Sequence, residues 1–201
     1  MTTFIEGEPA LFLTPKEKDW RSKVRVGGFR ASPNLAMRFD VRSFRRGGNP
    51  FDIDNLAKPV LDELQLQPET IWVLVQVSAS PGLTLSRDAP PPAPDSAVQV
   101  SVQEPRGRSV KPIVPMPEIV GLSLIGNGSE PVGLALYFDS AEVPIWDFGF
   151  EGPIKPFIDG LGPLLGPAPQ GPADHRIREL RITRGSRPGQ RGARIRMWLL
   201  D

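Results

Sequence analysis

The sequence predicts an α+β protein built as two tandem copies of a small mixed-sheet domain, each with its helices packed on one face, arranged as a pseudo-dimer. Two matches predict the duplication. "LAMRFDV" (Leu35 to Val41) shares Leu, Ala, Phe and Asp with "LALYFDS" (Leu134 to Ser140), and "KPVLDEL" (Lys58 to Leu64) shares Lys, Pro, Asp and Leu with "KPFIDGL" (Lys155 to Leu161). The offsets are 99 and 97 residues, in the same order. A proline inside a helix forfeits a backbone hydrogen bond, so a shared Lys-Pro is seldom reached twice independently. A third observation is the alternation of short apolar strands with stretches of helical periodicity, the pattern of a layered α+β unit.

The elements follow in order. A short strand near "TTFIEGE" leads to the helical stretch "TPKEKDWRSKVR" and then to the strand "NLAMRFDV". A helix from Asn55 to about Leu66 comes next, with Asn55, Lys58 and Asp62 on one face and the apolar Leu56, Val60 and Leu64 on the other. The strands "IWVLVQVS" and "SAVQVSV" close the first copy. In the second copy "PMPEIVGLSLIG" stands loosely in place of the tryptophan-bearing helix. It is followed by the strand "GLALYFD", a helix from about Pro153 to Leu165, and the strands "RIRELRIT" and "ARIRMWLL". Proline-rich "SRDAPPPAPDS" (Ser86 to Ser96) resembles an interdomain spacer. The repeat aligns it instead with "GSRPGQRG", a loop between the last two strands of a copy. The boundary then falls in "QEPRGRSVKP", giving domains 1–103 and 104–201.

Composition narrows the chemistry. With no cysteine and one histidine, His175, the chain has no disulfide, no Cys/His zinc site and no thiol nucleophile, so a metal must sit on oxygen ligands. His175, in a loop before a strand, reads as a partly exposed polar residue rather than a general base. The N-terminus lacks a basic-then-apolar signal pattern, and runs such as "IWVLV" are too short to span a bilayer, so a soluble, cytoplasmic protein without membrane contact is expected. Lys plus Arg (24) nearly balances Asp plus Glu (23), yet ten of the cations lie between Lys16 and Arg46 and eight arginines lie between Arg176 and Arg196. Two basic zones suit phosphate contacts, and equally suit the polar outer faces of strands. Arg45, Arg46, Arg184, Arg187 and Arg191 are the candidate DNA contacts. The four tryptophans read as core, with Trp146 the one to test against DNA.

The stretch "NPFDIDNLAKPVLDELQLQPET" (Asn49 to Thr70) carries the strongest chemical signal. Asp52 and Asp54 alternate on an extended lead-in, so their side chains point the same way, toward the start of the helix. One reading is structural: an acid or amide caps the helix, acids favour its N-terminus, and Lys58 pairs with Asp62 one turn on. The other is a metal site. A helix needs one capping side chain, whereas two adjacent carboxylates concentrate charge that calls for a cation, and oxygen-only ligation suits Mg²⁺ or Mn²⁺.

"DIDNLAKPVLDEL", preceded by "LAMRFDV" and a tryptophan-bearing helix, resembles the RusA-type Holliday-junction resolvases. Their hallmark is D-x-D-N-x-x-K-x-x-x-D-x-L followed by an Asp-Asp-x-x-Val segment. The resemblance implies that Asp52 and Asp54 bind Mg²⁺ or Mn²⁺, that Asn55 holds the turn, that Lys58 assists phosphodiester hydrolysis, and that Asp62 pairs with Lys58. It implies branched or junction DNA as the partner. The third acid should precede "IWVLV", where the chain offers Glu69. In the second copy Gly149 stands opposite Asp52, Glu151 opposite Asp54 and Gly152 opposite Asn55, while Lys155 and Asp159 are kept and Asp174 stands at the third acid's place. Each site is then expected within its own half. A fused pair implies a monomer, alone or within a larger complex. The alternatives are a degenerate relative that binds branched DNA without cutting it, and a non-enzymatic subunit of a larger complex.

Overall fold

The computed structural model describes residues 2–46, 49–102, 130–149, 152–161, 165, 167–168, 171–186 and 192–200. The strands in chain order are β1 (Thr3–Glu6), β2 (Asn34–Val41), β3 (Arg45–Arg46), β4 (Asn49–Pro50), β5 (Thr70–Val77), β6 (Gly82–Ser86), β7 (Val98–Val102), β8 (Val132–Phe138), β9 (Pro167–Ala168), β10 (Gly171–Pro172), β11 (Ile177–Arg184) and β12 (Ala193–Leu199). Among the described residues the helices are α1 (Glu17–Val26), α2 (Ile53–Leu64) and α3 (Ile154–Asp159), and a 3-10 turn, Asp174–Arg176, leads into β11. The architecture is mixed α+β. Among the described residues no helix is long and apolar enough to cross a membrane.

Eight strands form one sheet in the order β1-β6-β2-β5-β11-β8-β12-β7. At its centre β5 and β11 run antiparallel, with Thr70 facing Thr183 and Leu74 facing Glu179. β2 lies parallel to β5 and β8 parallel to β11. Outside these, β6 and β12 run antiparallel to β2 and β8, and β1 and β7 run antiparallel to β6 and β12. Read from either edge, the sheet shows the same sequence of directions.

This order corrects the expected place of "SAVQVSV". Val98–Val102 does not pair with β6 as a closing strand of the first copy. It pairs with β12 at the far edge, the place that β1 holds beside β6. The proline-rich segment therefore spans from one half of the sheet to the other. Prolines suit such a strap, being extended and donating no hydrogen bond, and its carbonyls accept from side chains of the sheet. Arg181 Nη1 donates to Pro91 O at 2.7 Å, Arg196 Nη2 donates to Pro94 O at 3.0 Å, and Ala93 packs with Ala135 and Trp198. The residues 103–112 expected to hold the domain boundary lie outside the described residues.

Alternation along the strands sorts the two faces. Leu134, Leu136, Leu180 and Ile182 join the main core with Trp20 and Val24 of α1, Leu56 and Val60 of α2, and Phe157 of α3, so all three helices cover one face. Each fully buried side chain of this kind contributes about 1.5–3 kcal/mol. On the opposite face Trp72 donates its Nε1–H to Glu179 at 2.8 Å, and Arg181 stacks over Trp198 while donating to Glu179 at 2.8 Å.

Helix α2 carries Pro59 in its interior, which frees the carbonyl of Asn55 four residues earlier. The chain answers this locally: Phe12 N–H, from the segment before α1, donates to Asn55 O at 2.9 Å. The cost of a proline inside the helix is thus met by a tertiary hydrogen bond, which ties α2 to the N-terminal segment.

Candidate metal centre

Asp52 takes the N-cap position of α2 in extended geometry (φ −92°, ψ 146°), yet its side chain caps no backbone N–H. Instead Asn55 Nδ2 donates to Asp52 Oδ2 at 3.2 Å, which holds the carboxylate off the helix end. Asp54, one helical step in, is buried. Asp174 begins the 3-10 turn before β11 and is also buried. One carboxylate oxygen from each of Asp52, Asp54 and Asp174 lies within 4.8 Å of the others, so two acids from the first half of the chain meet one from the second.

The lysine at this cluster is Lys155 of α3. Its Nζ lies 3.2 Å from Asp54, 3.5 Å from Asp174 and 3.3 Å from Asp159. Lys58, the expected lysine, turns the other way: its Nζ pairs with Asp62 Oδ2 at 2.7 Å and sits 4.6 Å from the centre of the Phe12 ring. Glu69 is exposed and stands apart from the acids. Its N–H donates to Pro33 O at 2.8 Å and its carbonyl accepts from Arg184 N–H at 3.0 Å, at the Thr70–Thr183 end of the central ladder. Asp174 precedes Ile177, at the other end; six residues of strand separate the two, about 20 Å. The antiparallel pairing of β5 with β11 is the physical reason. It carries the start of β11, and not the start of β5, to the entrance of α2.

Electrostatics matches this crowding. Burial, then the charges of Asp174 and Asp54, push the Asp52 carboxyl up to about 7, and a hydrogen bond with Asp174 acts in the same direction while Lys155 opposes. Burial also raises Asp54, against the pull of Lys155. Lys155 is itself desolvated, but Asp54, Asp159 and Asp174 outweigh that and hold its proton on. Arg178, which no motif in the sequence singles out, forms the rim: its guanidinium stacks 4.0 Å from the Phe44 ring centre and donates to the carbonyl of His175. Burial lowers it to about 10, with Asp52 opposing. Burial lowers His175 as well, with Asp174 opposing and Arg178, Arg176 and Arg45 acting in the same direction as burial.

The remaining candidates scatter. Asp147, the nearest acid upstream of the diverged motif, accepts from Gly149 N–H at 2.9 Å and closes its own turn. Gly152 is pressed against it: a Cβ at this position would collide with the carbonyl and side chain of Asp147, so the asparagine that stands at this place in the first half has no room here. Arg184 donates to Ala141 O at 3.1 Å and lies over the Trp146 ring, and both read as structural. Arg45 is exposed on the β3–β4 ribbon, whose partner strand leads directly to Asp52. The side chain of Arg46, and Glu151, Arg187 and Arg191, lie outside the described residues.

The donor set fits a hard divalent cation. Three carboxylates offer oxygen only, and the buried Asp54 Oδ1 has no hydrogen-bond partner. No protein-family model matches the chain, and neither does the sequence of any curated protein.

Proposed function

We propose that this chain is a Mg²⁺- or Mn²⁺-dependent endonuclease of the RusA type acting on branched DNA, folded as two diverged copies of one unit in a single-chain pseudo-dimer. The observation that carries this reading is the convergence of Asp52, Asp54 and Asp174 within 4.8 Å of one another, with one oxygen of the buried Asp54 left without a hydrogen-bond partner. The mirrored strand order supports the pseudo-dimer, with the strap before β7 as the join between copies.

A divalent ion held by these carboxylates would polarise a phosphate and acidify a bound water. Around it, Asp52, Asp54 and Asp174 set the ligand positions and Asn55 orients Asp52. Lys155 holds the acids together and presents positive charge to a developing phosphate anion. Arg178, braced on Phe44, and Arg45 offer guanidinium groups to neighbouring phosphates at the rim.

A second reading has its own observation. Lys155 Nζ already lies between Asp54 and Asp174, at 3.2 and 3.5 Å, where it neutralises part of the charge that a metal would. That favours a descendant that binds branched DNA without cutting it. A labelled four-way junction incubated with protein and Mg²⁺ or Mn²⁺ separates the two: incision that vanishes in Asp54→Asn supports the nuclease. Equal binding without incision by either protein supports the binding-only form, and no binding sinks both.

A further inference from the structure

We propose that the helix-free sheet face of the first half, over Ala36, is a docking groove for an extended proline-rich segment of a partner protein, one that carries a basic residue. This stands independently of the nuclease reading. The two halves of the sheet present matching floors on that face. Ala36 of β2 lies in register between Trp72 of β5 and Ser86 of β6, and Ala135 of β8 lies in register between Arg181 of β11 and Arg196 of β12. The shared segments "LAMRFDV" and "LALYFDS" make Ala36 and Ala135 equivalent. Each is the smallest side chain of its row, so the face dips there.

The second half shows what such a dip accepts. The strap crosses it: Ala93 packs with Ala135 and Trp198, while Arg181 and Arg196 donate to the carbonyls of Pro91 and Pro94. A proline-rich chain suits the place because it is already extended and makes no internal hydrogen bonds, which leaves its carbonyls to outside donors. Over Ala36 the face holds a cavity of about 350 Å³, lined among others by Arg38, Trp72, Leu74, Thr84 and Ser86. The same kinds of group recur there in exchanged places. Trp72 engages Glu179 through its Nε1–H, so its ring is what it offers the cavity, as Trp198 offers the strap an aromatic surface. Arg38, its side chain 51% exposed and 3.5 Å from Asp40, supplies a guanidinium for carbonyl oxygens, and the Thr84 hydroxyl is a second donor. Asp88, at the start of the strap, also lines the cavity, and its carboxylate accepts from Ser86 Oγ at 2.6 Å. That negative charge is the complement of a basic residue flanking the prolines.

The probe is the capped peptide RAAPPPAPAS, the strap sequence from Arg87 to Ser96 with both aspartates changed to alanine. It is titrated into the isotope-labelled full chain while the indole N–H resonances of Trp20, Trp72, Trp146 and Trp198 are followed by NMR. The Trp72 signal is identified by its loss in Trp72→Phe. A saturable shift of Trp72 is expected, with Trp198 unmoved. Arg38→Ala should weaken binding about tenfold, the worth of a charged hydrogen bond. A peptide with alanine for every proline should bind more weakly than the parent, because its loose chain must be ordered on docking. A shift of Trp198 in place of Trp72 means that the peptide has displaced the strap, and no saturable shift at millimolar peptide means that the groove takes no such ligand. Either overturns the proposal, as does unchanged affinity in Arg38→Ala or for the proline-free peptide. A Trp72 shift that grows with protein concentration alone, beside a mass above 22.0 kDa, seats a second copy in the groove and overturns it too.

Discussion

Replacing Lys155 should be far more costly than replacing Lys58, although the two occupy matching places in the repeated "KP" segments. Lys155 Nζ lies 3.2 Å from Asp54 and 3.5 Å from Asp174, and both acids are buried. At an effective dielectric constant of about 20, two unit charges at such distances attract by about 5 kcal/mol, and two carboxylates no more than 4.8 Å apart repel by at least about 3.5 kcal/mol. Lys155→Ala thus leaves three mutually repelling acids without their cation. Proton uptake by Asp52 and Asp54 relieves part of the strain, so the net loss is expected at about 3–5 kcal/mol. Lys58→Ala removes one partly exposed pair and a contact with the Phe12 ring, about 1 kcal/mol. For a chain of this length the first corresponds to a Tm drop of about 6–20 °C and the second to about 2–4 °C. Urea and thermal unfolding of both variants, with and without Mn²⁺, measure this directly. Mn²⁺ at a hundredfold excess over its Kd should return about 2.7 kcal/mol to Lys155→Ala, because the ion supplies the missing positive charge. Equal losses in the two variants, or no protection of Lys155→Ala by Mn²⁺, would refute the assignment of Lys155 to the acid cluster.

Further outcomes follow from the same contacts. Asp52 ionises near pH 3.8 when unfolded and near about 7 when folded, so the folded chain keeps a proton that the unfolded chain releases. Metal-free stability should therefore fall as pH rises from about 4 to about 7 and level off above, by about 2 kcal/mol once solvent screening at this half-buried site is allowed for; urea midpoints across that range check it. Stability that rises through the window would contradict the geometry. The gain in Tm on adding Mn²⁺ should grow over the same range, since the ion binds ionised acids. Asp174→Asn should abolish that gain and Glu69→Gln should leave it whole, because Glu69 stands at the other end of the central ladder. Gly133→Ala would drive its Cβ into the Trp198 ring and should cost at least about 2 kcal/mol by urea unfolding, independent of metal.

The sequence by itself determined most of the local elements, β6 (Gly82–Ser86) being a strand that its patterning did not mark. The period of 3.6 in Leu56, Val60 and Leu64 marked the buried side of α2, and period-two alternation marked β5, β8, β11 and β12. The paired "LAxxFD" and "KPxxDxL" segments do fall on β2 and β8 and on α2 and α3. Asp52, Asp54 and Asp174 were each legible as acids in suggestive places, because side-chain chemistry and short-range spacing are written in the chain. Their partners were not. Val98–Val102 has the same alternation whether it pairs with β6 or β12, and only the closure of the far sheet edge selects β12. Lys58 and Lys155 share one motif, so spacing assigns each to the acids nearest in sequence. The antiparallel meeting of β5 and β11 instead delivers Lys155 and Asp174 to the acids of the first half. Periodicity encodes which way a side chain faces on its own element, whereas a site drawn from both halves depends on how the elements dock, a long-range relation that no local spacing carries.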